Sequence, residues 1–216
     1  MSLEELRRQY TICGLSESNL PSNPLGLFST WLEVAMEHAP ADWIEPYAMT
    51  LATSTPTGQV SARMVLLRGF DEKGFVFYTN YDSRKGAELA ANNNSALVFY
   101  WGYLERQVRV TGTATKVERA LSAEYFRQRP RGSQIGASVS RQSTVIQSRD
   151  ELELAVSGFK AELGEGTVPL PEFWGGYRVF PYEIEFWQGR ENRLHDRLVY
   201  ARKDEGHSWE LKRLSP

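Results

Sequence analysis

Between residues 47 and 116 the chain offers β-rich runs in quick succession, at 47–54, 59–68, 74–80, 95–103 and 106–116, and this spacing decides the fold class. Pro56-Thr57-Gly58 separates the first two runs, and residues 69–74 read as a turn before the third. Short, turn-rich gaps join strands antiparallel, because a parallel crossover needs a dozen residues or more, usually as a helix. The expected class is α+β, mainly β with flanking helices: an antiparallel, Greek-key-like barrel or sandwich, not a doubly wound parallel sheet.

Helical patterns bracket these strands. Asn23-Pro24 followed by Leu27, Phe28, Trp31, Leu32, Ala35 and Met36 predicts a capped helix with proline in its first turn. Further helical segments are expected at about 119–127, 133–138 and 150–163, with strands resuming at 177–188, 195–203 and 208–213 to complete the sheet. There is no repeat and no linker-like stretch, so the reading is one domain over residues 1–216 with a helical satellite at about 119–163.

Charge is segregated. Residues 105–149 hold nine Lys and Arg against three acids, in a chain whose net charge is −2. Such a stretch points to an anionic partner, with a solvated helix face as the plain alternative. The one cysteine, Cys13, excludes an internal disulfide and a Cys-rich zinc cage. The longest mostly apolar run, residues 96–104, is too short to span a bilayer, and the first ten residues lack an apolar signal-peptide region. A cytoplasmic protein without membrane partners is expected.

Three clusters carry candidate chemistry. Ser83-Arg84-Lys85-Gly86 follows the run 74–80 and precedes a helix expected from near Ala87. Cations there oppose the helix dipole unless an anion sits over the free N–H groups. In Tyr125-Phe126-Arg127-Gln128-Arg129-Pro130-Arg131-Gly132-Ser133, the proline ends one helix and Ser133 can cap the next turn, leaving Tyr125, Arg129 and Ser133 as donors around a phosphate ester. In Arg193-Leu194-His195-Asp196-Arg197, an extended backbone would put Arg193, His195 and Arg197 on one face and bury Leu194 on the other. One histidine between two arginines is no metal site. Trp174-Gly175-Gly176 reads as a tight packed turn. Phosphate-binding glycine loops, a hydrolase serine elbow and an RNA-binding strand signature are all missing from the sequence, so no nucleic-acid partner is expected.

Taken with Arg63-Met64-Val65-Leu66-Leu67-Arg68, Phe77-Tyr78-Thr79-Asn80, Glu105-Arg106-Gln107-Val108, Ser133-Gln134-Ile135-Gly136-Ala137 and Phe173-Trp174-Gly175-Gly176, these clusters resemble the pyridoxine/pyridoxamine 5′-phosphate oxidase family from about Arg7 to the C-terminal Leu-Ser-Pro. The resemblance implies a homodimer of split β-barrels with FMN at the subunit interface, and C-terminal strands that complete the dimer-forming region. It implies FMN contacts at Arg63, Met64, Val65, Leu66, Leu67, Arg68, Tyr78, Thr79, Arg84, Lys85, Gln107, Gln142, Ser143, Trp187 and Arg197. Substrate contacts are implied at Arg7, Arg8, Gln9, Tyr10, Arg68, Tyr125, Arg129, Ser133, Arg193, Leu194 and His195. Of these, Arg193 and His195 would be the catalytic pair, positioning the pyridine ring and its C4′ carbon, while Arg197 and Gln107 would donate to the reduced flavin. The implied reaction oxidises pyridoxine 5′-phosphate or pyridoxamine 5′-phosphate to pyridoxal 5′-phosphate, with O2 as acceptor and H2O2 as by-product. Arg68 stands where lysine is usual in the family, Gly132 where an acid is common, and Ser138 where a tryptophan is expected. A different FMN enzyme on the same barrel, or a non-catalytic flavin- or anion-binding module, are the competing readings.

Overall fold

The computed structural model describes residues 9–204 and 206–216. Its first helix, α1 (Pro24–Glu37), starts where the sequence predicts, with the Asn23 side chain accepting the Leu25 N–H at 3.0 Å and Pro24 at the first position. The strands are β1 (Ala48–Ser54), β2 (Val60–Leu66), β3 (Gly69–Asp71), β4 (Gly74–Asn80), β5 (Asn94–Trp101), β6 (Arg106–Lys116), β7 (Trp174–Gln188), β8 (Asp196–Ala201) and β9 (Glu210–Leu214). Helix α2 (Arg84–Ala91) lies between β4 and β5, and α3 (Arg119–Gln128), α4 (Arg131–Val139) and α5 (Arg149–Leu163) between β6 and β7.

Every pairing is antiparallel, in the order β2-β1-β5-β6-β7-β4-β3, with β8 on β7 and β9 on β8. Strand β7 is the hub: its first half pairs with β4 and its second half with β8, while β6 runs along its other side. The switch falls at Pro181, which has no N–H to give a ladder, opposite a register shift between Thr111 and Gly112. Gly112 admits this approach, since a Cβ there would stand 2.1 Å from the Phe180 carbonyl oxygen. The sheet therefore curls into a half-barrel with flanking helices.

Alternation places Met49, Leu51, Leu97, Phe99, Val108, Val110, Ile184, Phe186, Phe75 and Phe77 on the concave face, all buried. Helix α1 plugs that hollow, and Phe28 meets Phe70, Phe75 and Phe99 edge-on at 4.9–5.0 Å. A smaller cluster of Phe126, Ile135, Val168 and Trp174 fixes α3 and α4 beside the barrel.

Two sequence expectations are corrected here. Residues 69–71 form the short strand β3 on β4, because the reversal needs only Asp71 to Gly74, where Asp71 accepts the Lys73 N–H at 2.8 Å. Trp174-Gly175-Gly176 opens β7 and is no turn. Its glycines serve close approach across the fold: a Cβ on Gly175 would lie 2.1 Å from the Tyr81 hydroxyl and 2.9 Å from Ser122 Oγ. Overpacking of this kind costs about 1–3 kcal/mol, so Gly175→Ala is expected to lower Tm by roughly 3–10 °C in thermal denaturation. Gly132→Ala, whose added carbon meets nothing within 4 Å, serves as the neutral control. Equal Tm values for the two variants would refute the packing argument.

Candidate active site

The structure gathers the first two clusters into one cleft of about 1200 Å³. One wall is β2. Six consecutive residues, Ser61 to Leu66, line the cleft although alternate side chains on a strand face opposite sides. The cleft therefore runs along the backbone edge of β2, which among the described residues pairs only with β1 on its other side. Opposite stand Tyr78 and Thr79 of β4, the start of α2, and the segment from Tyr125 to Ser143.

At one end, Ser83 caps α2 by accepting the Gly86 N–H at 3.3 Å, as expected, but the helix begins at Arg84 and not near Ala87. Arg84 and Lys85 are thus its first two residues. Ser143, with a left-handed φ of 74°, brings its hydroxyl to the Arg84 N–H at 3.2 Å. Gln142 accepts from Lys85 Nζ at 2.8 Å and from Thr79 at 3.4 Å. Burial, reinforced by the charge of Arg63, draws Lys85 below its ordinary pKa. An anion would relieve both penalties.

Glu88, one turn into α2, organises the arginines. Its carboxylate lies 3.4 Å from Arg63 and 2.9 Å from Arg84, and accepts from Thr53 at 2.5 Å and Ser61 at 2.6 Å. Burial pushes its pKa up, yet the bonds from Ser61, Thr53 and Arg84 outweigh burial and bring it down to about 2. A depressed carboxyl pKa contributes stability that is present above the ordinary value of 4.5 and lost as pH falls through about 2. The Tm difference between the parent and Glu88→Gln should accordingly narrow as pH is lowered from about 6 to 3. A gap that stays constant over that range would contradict the ionised, hydrogen-bonded carboxylate.

At the other end, Tyr125, Arg129 and Ser133 converge on the cleft with Arg68 and Trp174. Tyr78 stacks on Tyr125 at 4.0 Å, and Trp174 lies nearly parallel to both rings. The Arg129 guanidinium sits 4.8 Å over Trp174, and its buried Nη1 has no hydrogen-bond partner among the described residues. Ser133 is not a cap. Helix α4 starts directly after Pro130, so Ser133 is its third residue, with its N–H on the Pro130 carbonyl at 2.8 Å. Arg63 and Arg68 are an odd number of residues apart, which on a regular strand would point them to opposite faces, but β2 ends at Leu66 and both line the cleft. Leu67, by contrast, is buried in the barrel core.

Among the described residues, five cations line the cleft (Arg63, Arg68, Arg84, Lys85 and Arg129) and no acidic side chain does. With Glu88 set behind Arg63 and Arg84, the α2 end keeps two net positive charges, matching a phosphate monoester dianion. The Arg129 end offers an orphaned buried donor to a second anion. The donor set fits FMN together with a phosphorylated substrate.

The remaining expected residues gather elsewhere. Gln107, Trp187 and Arg197 are cross-strand partners on β6, β7 and β8, forming one row on the face opposite the core. Arg197 donates to Glu185 at 2.9 Å and to the Ser215 carbonyl at 3.0 Å, and Arg109 also pairs with Glu185. Beside this row, Tyr10 meets Trp187 and His195 edge-on at 5.7 and 5.3 Å, and a second hollow of about 530 Å³ is lined by Tyr10, Cys13, Arg190 and Leu194. The extended reading of 193–197 is corrected. Asn192 and Arg193 have left-handed φ of 56° and 62°, and β8 begins only at Asp196, so Arg193, His195 and Arg197 share no strand face. Leu194 is exposed, not buried. His195 Nδ1 accepts the Arg190 N–H at 3.0 Å, placing the ring proton on Nε2, and burial together with Arg193 holds its pKa below the ordinary 6.5. Arg7 and Arg8 lie outside the described residues.

A family model described as pyridoxamine 5′-phosphate oxidase matches residues 36–161, and one described as the pyridoxine 5′-phosphate oxidase C-terminal dimerisation region matches residues 174–216. A pyridoxine/pyridoxamine 5′-phosphate oxidase of Rubrobacter xylanophilus is 56% identical over 99% of this chain and 96% of its own. The chain belongs to the pyridoxamine 5′-phosphate oxidase family. Another member, from Rhodopirellula baltica, is 50% identical over 100% of this chain and 97% of its own. Among solved structures, PhzG from Burkholderia lata, in complex with tetrahydrophenazine-1-carboxylic acid, superposes with a TM-score of 0.83 at 32% identity, covering 91% of this chain and 94% of that one. The barrel is also that of a pyridoxamine 5′-phosphate oxidase-related, FMN-binding protein of Nostoc punctiforme, with a TM-score of 0.69 at 16% identity over 92% and 99% of the two chains.

Several residues that shape this family member's cleft are given no site role by the sequence reading: Ser61, Glu88, Asn80 and Trp174. The i,i+4 spacing of Arg84 and Glu88 was a usable signal for the second. Trp174 stands in a motif of the resemblance, but its residue type alone reads as packing. The Asn80 side chain donates to the Ser140 carbonyl at 3.2 Å, a link no local pattern announces.

Proposed function

We propose that the chain is an FMN-dependent oxidase that converts pyridoxine 5′-phosphate and pyridoxamine 5′-phosphate to pyridoxal 5′-phosphate, with O2 as acceptor and H2O2 as by-product. The observation that carries this reading is the cleft lined, among the described residues, by five cations and no acid, with a dianion's worth of charge at one end and a buried arginine donor without a partner among those residues at the other. FMN supplies the two-electron chemistry that takes the C4′ alcohol or amine to the aldehyde. Arg63, Arg84, Lys85, Ser143 and the α2 amides would hold its phosphate, and the open edge of β2 offers backbone donors and acceptors along the heterocycle. Arg68, Tyr125, Arg129 and Ser133 would take the substrate phosphate.

The reading includes a homodimer. Gln107, Trp187, Arg197, Arg193 and His195 cluster away from the cleft of their own chain, while Met64 and Tyr100, on the outer face of the same sheet, are 62% and 63% exposed. Two copies packed on these faces would bring the row of one protomer to the cleft of the other, with residues 174–216 as the dimer-forming part of a single domain. There His195, neutral with its proton on Nε2, and Arg193 would orient the pyridine ring and C4′. No helix among the described residues is long and apolar enough to cross a membrane.

The test is direct. Purified protein should carry a flavin spectrum and, in air with pyridoxine 5′-phosphate, release peroxide and an aldehyde in equal amounts. Flavin-loaded protein that leaves the substrate untouched would reject the proposal.

A further inference from the structure

Arg68 is held in an unusual way for a cation lining an anion site. Among the described residues no carboxylate pairs with it, whereas Arg63 and Arg84 both lean on Glu88. Its guanidinium carbon instead lies 5.5 Å from the centre of the Tyr47 ring and 6.0 Å from that of Tyr125. Tyr125 lines the cleft, and Tyr47 does not. Tyr47 stands at the mouth of β1, half-buried against the barrel core, and its carbonyl oxygen accepts the Leu67 N–H at 2.9 Å. The Arg68 N–H donates to the Val76 carbonyl at 2.8 Å. Backbone and side chain of the 67–68 corner are therefore both referenced to Tyr47.

We infer that Tyr47 is a positioning residue for the substrate phosphate, acting with Tyr125 as a pair of aromatic faces that hold Arg68 while leaving its N–H donors free. The physical reason is a difference between two ways of fixing an arginine. A carboxylate orders the guanidinium but occupies its donors and cancels its charge. An aromatic face orders it through the quadrupole and leaves charge and donors for a ligand. The Tyr47 hydroxyl, away from this contact, donates to Glu45 at 3.0 Å. A planar guanidinium suits this stacking better than an ammonium would.

The inference rests on the proposed substrate and on Arg68 as one of its phosphate ligands. It is tested with the FMN-loaded enzyme in three variants, Tyr47→Leu, Tyr47→Phe and Arg68→Ala, measuring kcat and KM for pyridoxine 5′-phosphate and competitive inhibition by inorganic phosphate. Tyr47→Leu keeps apolar packing but loses the ring; its KM and its inhibition constant for phosphate should both rise roughly three- to tenfold, with kcat within about twofold. Tyr47→Phe keeps the face and should stay within about twofold of the parent in every constant. Should Tyr47→Leu fold poorly, Tyr47→Met, judged at equal flavin content and Tm, serves in its place. Arg68→Ala separates the two levels of the argument. If it raises both constants while Tyr47→Leu leaves them unchanged, the clamp is wrong and the site assignment stands. If Arg68→Ala itself leaves them unchanged, both fall. A Tyr47→Phe variant as impaired as Tyr47→Leu would likewise overturn the role of the ring face.

Discussion

At substrate concentrations well below KM, a hybrid dimer built from two impaired chains should recover about half the activity of the unsubstituted dimer. The first chain carries Arg129→Ala, in the cleft, and the second carries Arg193→Ala, in the group beside Trp187 and Tyr10. In a two-fold dimer the same patch serves both subunits, so each active site would take its cleft from one protomer and its Arg193 from the other. In the hybrid, one site then inherits both lesions and the other neither. Arg193 does not line the cleft of its own chain, and the second hollow beside it is lined by Tyr10, Thr11, Cys13, Gly14, Arg190, Glu191 and Leu194, none of which lines the cleft. Co-expression with two different tags, followed by purification over both, isolates the hybrid, and its turnover is read per dimer. A hybrid no more active than its two parents would mean that every protomer completes its own site.

Arg129→Ala alone is expected to raise KM for pyridoxine 5′-phosphate between about tenfold and a hundredfold. Its guanidinium is packed on Trp174 and Phe126, with a buried Nη1 that meets no partner among the described residues. A donor so placed pays its desolvation in the free protein and recovers it only when an anion arrives, and a charge-assisted bond of this type contributes about 1.5–3 kcal/mol. The FMN dissociation constant should stay within about twofold, because the α2 end of the cleft carries its own cations. Steady-state kinetics and flavin titration of the same preparation separate the two effects. An unchanged KM would remove Arg129 from the phosphate site, and a lost flavin would mean that the two ends are not independent.

The parts of this fold that could be read in the sequence are those with local causes. The strands announced themselves through β-rich runs and short turn-rich gaps, α1 through Asn23 and Pro24, and the proposed anion site through cations placed against a helix dipole at Arg84 and Lys85. What escaped has distant causes. Gly175 is small because Tyr81, far away in sequence, needs the space, so a glycine pair that looked like a turn became a strand. The bend at Asn192 and Arg193 uses left-handed backbone without glycine; asparagine tolerates that region and was the one available hint. Trp187 and Arg197 were found by resemblance, yet they lie away from the cleft of their own chain, and the proposed assembly that would bring them to a cleft is something no local pattern in one polypeptide encodes.

The open edge of β2 has an implication for handling the protein. A strand with unsatisfied lateral amides is a template for another strand, and natural sheets shield such flanks with charges, bulges or covering loops. Here the shielding would fall to a small molecule. Stripping the prosthetic group would then uncover adhesive backbone as well as abolish turnover, so apoprotein stocks should cloud on standing where yellow ones stay clear, and replenishing the flavin before concentration should prevent it.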